Sequence, residues 1–214
     1  TGFLIYVSNY YHAEEVALAV IQTGNNLDIQ DDYIMLSPST PSDTALIFYP
    51  GGKVEHSAYL PMMEKITAQS GITTIVVKMP FNLAVFGVNK ADQVIEQFPD
   101  VTDWYIGGHS LGGAMASNYA SKNQTKVAGL ILMGAYIYGD YPSENALTIF
   151  GTLEKDVADQ IDYIENVVEI DGGNHAQFGH YGEQKGDPDA TISREQQQKI
   201  TADAIDQFLL NRGD

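Results

Sequence analysis

One stretch constrains this chain more than any other: Gly107-Gly108-His109-Ser110-Leu111-Gly112-Gly113. The run before it, Asp103-Trp104-Tyr105-Ile106, is rich in strand formers. The run after it, Ala114-Met115-Ala116-Ser117-Asn118-Tyr119-Ala120, has the small residues of a closely packed helix. Strand, turn and helix in immediate succession leave one residue at the corner, here Ser110. Gly108 and Gly112 flank it where the two backbones come too close for a Cβ. Held in such a turn, the serine hydroxyl stands clear of the sheet.

The rest of the chain alternates strand and helix signals around this corner. Tyr33-Ile34-Met35-Leu36 reads as a short strand closed by Ser37-Pro38. Ala45-Leu46-Ile47-Phe48-Tyr49 is an unbroken apolar run before Pro50-Gly51-Gly52, which suits a strand buried on both faces. Tyr59, Met62, Met63 and Ile66 fall at i, i+3, i+4 and i+7 of a helix that Gly71 stops. Further strands are expected at 72–77, 127–135, 146–150 and 167–170, and further helices at 12–21, 88–98 and 155–163. Gly24-Asn25-Asn26 ends the first of these helices. Ser193-x-x-Gln196 has the form of a capping box and opens a last helix, with Ile200, Ala204, Ile205, Phe208 and Leu209 inward. This alternation predicts an α/β fold with a mostly parallel central sheet and helices on both faces. With 44% hydrophobic residues, the 214-residue chain can bury one sizeable core. A single domain over 1–214 is expected, in which 1–43 leads into the core as a helix and a strand.

Charge and composition narrow the partners. A net charge of −17 repels nucleic acid and anionic membrane, so neither is an expected partner. The absence of cysteine excludes disulfides and cysteine zinc sites, and fits a bacterial secreted protein as well as a cytosolic one. No stretch reaches the roughly 18 apolar residues of a membrane span, so no stable membrane contact is expected of the visible chain. The sequence starts at Thr1, and Gly2-Phe3-Leu4-Ile5-Tyr6-Val7 is apolar. It reads either as the stub of a removed N-terminal anchor or signal segment, or as a short first strand or helix turn. The first reading places the protein outside the cell or on a membrane, with the cytoplasm as the alternative.

Gly-His-Ser-Leu-Gly-Gly at 108–113 resembles the elbow of α/β-hydrolases with a serine nucleophile, and the likeness runs over 44–210. Tyr49-Pro50-Gly51-Gly52-Lys53-Val54 and Val77-Lys78-Met79-Pro80-Phe81-Asn82 are similar to segments of the small, lidless hydrolases related to dienelactone hydrolase. That enzyme uses a cysteine nucleophile, which this chain lacks, so its lactone activity does not carry over. The resemblance implies an α/β-hydrolase fold without a cap, with Ser110 as nucleophile. In this family the acid and then the histidine follow the nucleophile along the chain. His175 lies in Gly172-Gly173-Asn174-His175, just past the strand at 167–170, where sites on parallel sheets are built. His180, farther along the same loop, is the second candidate. Gly151-Thr152-Leu153-Glu154 resembles the family's Gly-Ser/Thr-x-Asp and puts Glu154 at the acid position, glutamate replacing aspartate. Asp156 is the rival, or else an N-cap of the next helix. The oxyanion would be held by main-chain N–H groups, one from Leu111 after the nucleophile and one from Gly52, with Lys53 as the rival. Met79, Pro80, Phe81 and Asn82 end the neighbouring strand and could receive an acyl or alcohol group; Met79 and Phe81 read equally well as core.

About ten residues separate the strands at 127–135 and 146–150, too few for a cap domain, so the serine should face an open cleft. These readings imply serine-dependent hydrolysis of a small carboxylic ester through an acyl-enzyme on Ser110, with His175 relaying the proton and Glu154 orienting it. No cofactor and no metal are implied, since His175 and His180 alone are too few ligands. The expected partner is a small-molecule ester. Acyl transfer to an acceptor other than water and non-catalytic binding on a hydrolase scaffold are the alternatives. An open cleft argues against the first, and the order of serine, acid and histidine against the second. Asn123-Gln124-Thr125 fits a glycosylation sequon and Arg212-Gly213-Asp214 an adhesion tripeptide, but three-residue patterns carry little information.

Overall fold

The unbroken apolar runs become the middle of a sheet. The computed structural model describes residues 2–24 and 26–212, with Leu4 and Ile5 described in backbone only. Asn25, in the expected end of the first helix, and Gly213 and Asp214, in the terminal tripeptide, lie outside the described residues. Among the described residues the strands are β1 (Leu27–Ile29), β2 (Tyr33–Leu36), β3 (Thr44–Tyr49), β4 (Thr73–Val77), β5 (Asp103–His109), β6 (Gly129–Met133), β7 (Ala146–Gly151) and β8 (Val167–Ile170). They form one sheet in the order β1-β2-β4-β3-β5-β6-β7-β8. β1 and β2 are antiparallel at one edge, and β3 to β8 are parallel to one another.

Side chains along a strand alternate between faces, so a strand covered on both sides is apolar throughout. In β3, Leu46 and Phe48 enter one core, while Ala45, Ile47 and Tyr49 enter the other. In β6, Ile131 and Met133 share the first face, and Leu130 and Leu132 the second. The first face is covered by α2 (Glu15–Thr23), α3 (Leu60–Ser70) and α7 (Arg194–Leu210), which contribute Val20, Met62, Met63, Ile66, Ile205 and Phe208. The second is covered by α4 (Lys90–Gln97) and α5 (Leu111–Lys122), through Ala91, Val94, Ala116, Tyr119 and Ala120. Residues 1–43 carry more than one helix and one strand. A short α1 (Gly2–Ser8) precedes α2, and β1 precedes β2.

Several boundaries follow expectation. Gly71, with φ 66°, ends α3, and the Ser193 capping box opens α7 with both reciprocal hydrogen bonds formed. Others differ for physical reasons. The helix expected at 155–163 stops after one turn, α6 (Lys155–Ala158). The Tyr163 hydroxyl instead reaches Thr148 on β7 at 2.8 Å and accepts the Ile137 N–H at 3.2 Å, which pulls the chain out of helix. In α7, Ile200 is 39% exposed; Gln197, Gln198 and Thr201 occupy the buried face because their polar ends find partners there.

Register brings the carboxyl ends of the central strands level. Tyr49 pairs with Gly108, His109 with Met133, Met133 with Ile149, and Gly151 with Ile170. The loops after β3, β5, β6, β7 and β8 therefore open on one edge of the sheet, where a site on such a sheet forms.

Candidate active site

Ser110 sits between the last residue of β5 and the first of α5, with φ 54° and ψ −125°. A residue with a side chain pays for such backbone, and it persists only where the surroundings impose it. The surroundings here are two close approaches. A Cβ on Gly112 would lie 2.1 Å from the Tyr49 carbonyl oxygen, and one on Gly108 would lie 2.6 Å from the same atom. Both positions therefore need glycine.

Glu154 and His175 meet across the edge. Glu154 follows the turn after β7, and its carboxylate is almost wholly buried. Its Oε1 lies 2.5 Å from His175 Nδ1, and its Oε2 accepts the Gly151 N–H at 2.7 Å. Both oxygens are engaged, which fixes the carboxylate plane and with it the imidazole ring. The pair lies over Gly134, the residue after β6; a Cβ there would come within 2.7 Å of Glu154 Oε1 and 2.9 Å of His175 Nδ1. Asp156 is exposed on α6 and does not reach the histidine.

The histidine is held from behind by groups that periodicity does not reveal. Asp187 accepts the N–H groups of His175 at 3.1 Å and Ala176 at 2.7 Å. Gln197, buried on α7, hydrogen bonds to both main-chain groups of Asn174. Neither Gln197 nor Asp187 carries a sequence signal that sets it apart from a solvated polar residue. His180 points elsewhere, to Gln198 Oε1 at 3.2 Å and toward Arg194 and Glu14. Burial lowers its pKa, and it takes part in packing α7 against the start of α2.

The loop after β3 lies against α5: a Cβ on Gly52 would be 2.9 Å from Leu111 Cδ2. The three N–H groups of this loop differ. Gly51 donates to the Tyr59 hydroxyl at 3.0 Å, and Lys53 donates to the Asn82 carbonyl at 2.7 Å. The Gly52 N–H has no acceptor among the described residues. Neither does that of Leu111, which opens α5 and so lacks an intrahelical partner. Of the segment at 79–82, Met79 is core, while Phe81 is 50% exposed with φ 56° and packs edge-on against Phe3 and Phe86.

Comparison with known proteins bears on the fold. Among solved structures, Est1E from Butyrivibrio proteoclasticus superposes with a TM-score of 0.59 at 15% identity, covering 87% of this chain and 97% of that one. Dienelactone hydrolase from Anabaena variabilis ATCC 29413 gives 0.54 at 15% identity, covering 84% and 90%. XC6422 from Xanthomonas campestris, described as an a/b serine hydrolase without lid, gives 0.56 at 14% identity, covering 83% and 88%. At these identities the likeness is one of fold. No curated protein matches the sequence significantly. The profile of the alpha/beta hydrolase family matches residues 45–199, most of the sheet and every loop of the candidate site, and the chain belongs to that family.

Proposed function

We propose that the protein is a serine hydrolase that cleaves small carboxylic esters through an acyl-enzyme on Ser110. The observation that carries this reading is the buried Glu154 carboxylate on His175 Nδ1, set over Gly134 beside the elbow that presents Ser110. A serine hydroxyl needs a base, and the base needs a partner that selects its tautomer. With Nδ1 engaged by Glu154, Nε2 is the nitrogen left to take the serine proton. Attack then places negative charge on the substrate oxygen, and the unengaged N–H groups of Gly52 and Leu111 are the donors for it. Lys53, the rival, already gives its N–H to Asn82. His175 next passes the proton to the leaving alcohol, and water takes the same path in reverse to release the acid.

A small acyl group is favoured by the connection between β6 and β7. It adds no cap, and side chains tie it down: Ser117 Oγ accepts the Tyr138 N–H at 2.8 Å and Gln124 donates to the Asp140 carbonyl at 2.9 Å. The test is turnover of p-nitrophenyl esters of graded chain length, together with labelling by a fluorophosphonate. Wild-type protein should turn over the short esters and be labelled once. Ser110→Ala should be unlabelled and lose about 10⁴- to 10⁶-fold in kcat. Wild-type turnover in Ser110→Ala would end the proposal.

A further inference from the structure

Behind the oxyanion loop lies a buried polar pair that the proposed chemistry does not use. Tyr59 ends the 3₁₀ turn before α3 and is fully buried; His109 is the residue before the nucleophile and is 1% exposed. The Tyr59 hydroxyl stands 2.8 Å from His109 Nδ1 and 3.0 Å from the Gly51 nitrogen. The main chain of Gly51 rests on both, since a Cβ there would lie 2.8 Å from each of these two atoms.

The directions of these hydrogen bonds can be worked out. The Gly51 N–H can only donate, so the Tyr59 oxygen accepts. If His109 Nδ1 also carried a proton, the tyrosine oxygen would accept twice and its own proton would have no acceptor in a dry pocket. Such an orphan costs about 1–3 kcal/mol. The economical arrangement has Tyr59 donating to an unprotonated Nδ1. The chain then runs Gly51 N–H to Tyr59 O–H to His109 Nδ1, and His109 is neutral with its proton on Nε2. Nε2 makes no hydrogen bond of good geometry among the described residues, and the His175 main chain beside the ring is the acceptor open to its proton. Burial, and then the nearby His175, push His109 well below its usual pKa against a weaker upward pull from the His175 main chain, which agrees with a neutral ring. The ring sits among His175, Phe178 and Tyr181, at centroid distances of 4.4, 5.6 and 6.4 Å.

We propose that Tyr59 and His109 are positioning residues for the oxyanion site: they fix Gly51, and thereby aim the Gly52 N–H at the developing charge. This rests on the serine-hydrolase reading. The strut joins the loop after β3 to the strand that carries Ser110, so the second donor and the nucleophile share one support. Its effect should be felt where charge develops on oxygen and little in ground-state binding.

The experiment compares Tyr59→Phe, His109→Leu and His109→Asn with wild type and Ser110→Ala on one short p-nitrophenyl ester. Tyr59→Phe removes one hydroxyl and keeps the ring. It should lower kcat about 10- to 100-fold with KM within about twofold, part of the loss known for a missing oxyanion donor. Phosphonylation of Ser110 by a p-nitrophenyl phosphonate, which also builds charge on oxygen, should slow in parallel. His109→Leu should behave alike, and His109→Asn, whose Oδ1 can replace Nδ1 as acceptor, should recover most of the loss. Unchanged kcat in a folded Tyr59→Phe would overturn the strut, as would a loss confined to KM, or His109→Asn no better than His109→Leu. If His109→Leu fails to fold, Tyr59→Phe decides alone. The two readings fail separately: a dead Ser110→Ala with a fully active Tyr59→Phe removes only the strut, whereas an active Ser110→Ala removes the serine mechanism.

Discussion

Gln197 grips Asn174 at both ends of its main chain: Oε1 accepts the Asn174 N–H at 3.1 Å, and Nε2 donates to the Asn174 carbonyl at 2.7 Å. A buried side chain of the last helix thus does for the histidine loop what a neighbouring strand would do in a sheet. Gln197→Leu would leave two buried main-chain groups unpaired, at about 1–3 kcal/mol. The melting temperature should fall by roughly 2–12 °C, and kcat should fall because His175 loses its footing. Calorimetry and steady-state kinetics check this, and an unchanged melting temperature would refute it.

The acid can be separated from its rival by two isosteric changes. Glu154→Gln keeps the shape but can present an N–H to His175, favouring the wrong tautomer, so kcat should fall by up to about 10⁴. Asp156, exposed on α6, should tolerate Asn with little change in rate. The opposite ordering of the two rates would move the acid to Asp156.

Acid should destabilise the protein before its carboxylates titrate. Burial first, then the charge of Lys78, lowers His56 from 6.5 to about 4, against a weaker opposing pull from Glu55. The folded state therefore binds fewer protons than the unfolded chain between these values. Stability is full above about pH 6.5 and is lost progressively as pH falls toward 4, by up to about 3 kcal/mol for this group. His109 and His180, also lowered, act in the same direction. Urea unfolding at pH 7 and pH 5 should show the fall, and His56→Gln should flatten part of it. Equal slopes in the two proteins would discount His56.

The tethered link between β6 and β7 should leave access to Ser110 independent of any interface. Activity on a short-chain ester is expected to saturate smoothly through its solubility limit. A jump at that limit, or a preference for long-chain triglyceride, would contradict the open cleft.

The sheet was legible because burial on both faces leaves apolar runs such as 45–49, and because glycine and serine mark the corner at 108–112. The places of Ser110 and His175 after strand ends were legible, and Glu154 was singled out by its resemblance to the family's Gly-Ser/Thr-x-Asp pattern. The supporting groups were not. Gln197 and Gln198 look like the solvent side of a helix until their partners in other segments are known, which is why Ile200 was placed inward in their stead. Tyr59 fits an apolar helical stripe equally well with or without a hydroxyl contact. The segment at 159–163 failed for a related reason: helical composition was outweighed by Tyr163 reaching Thr148, a tertiary bond with no local trace. Gly52 and Lys53 differ in whether the N–H is already engaged, and that needed the position of Asn82.

The backbone at Ser110 carries a consequence for how this protein can change. At φ 54° and ψ −125° a glycine is comfortable and a serine is not. Ser110→Gly should therefore raise unfolding stability by about 1 kcal/mol while abolishing turnover. Selection for a sturdier fold alone would discard the serine proposed as nucleophile, while selection for activity alone would keep the weaker fold. Gly108 and Gly112 belong to the opposite class, since any side chain there meets the β3 backbone and would be rejected under both selections. A saturation scan scored once for abundance and once for ester turnover should split these neighbouring positions into the two classes.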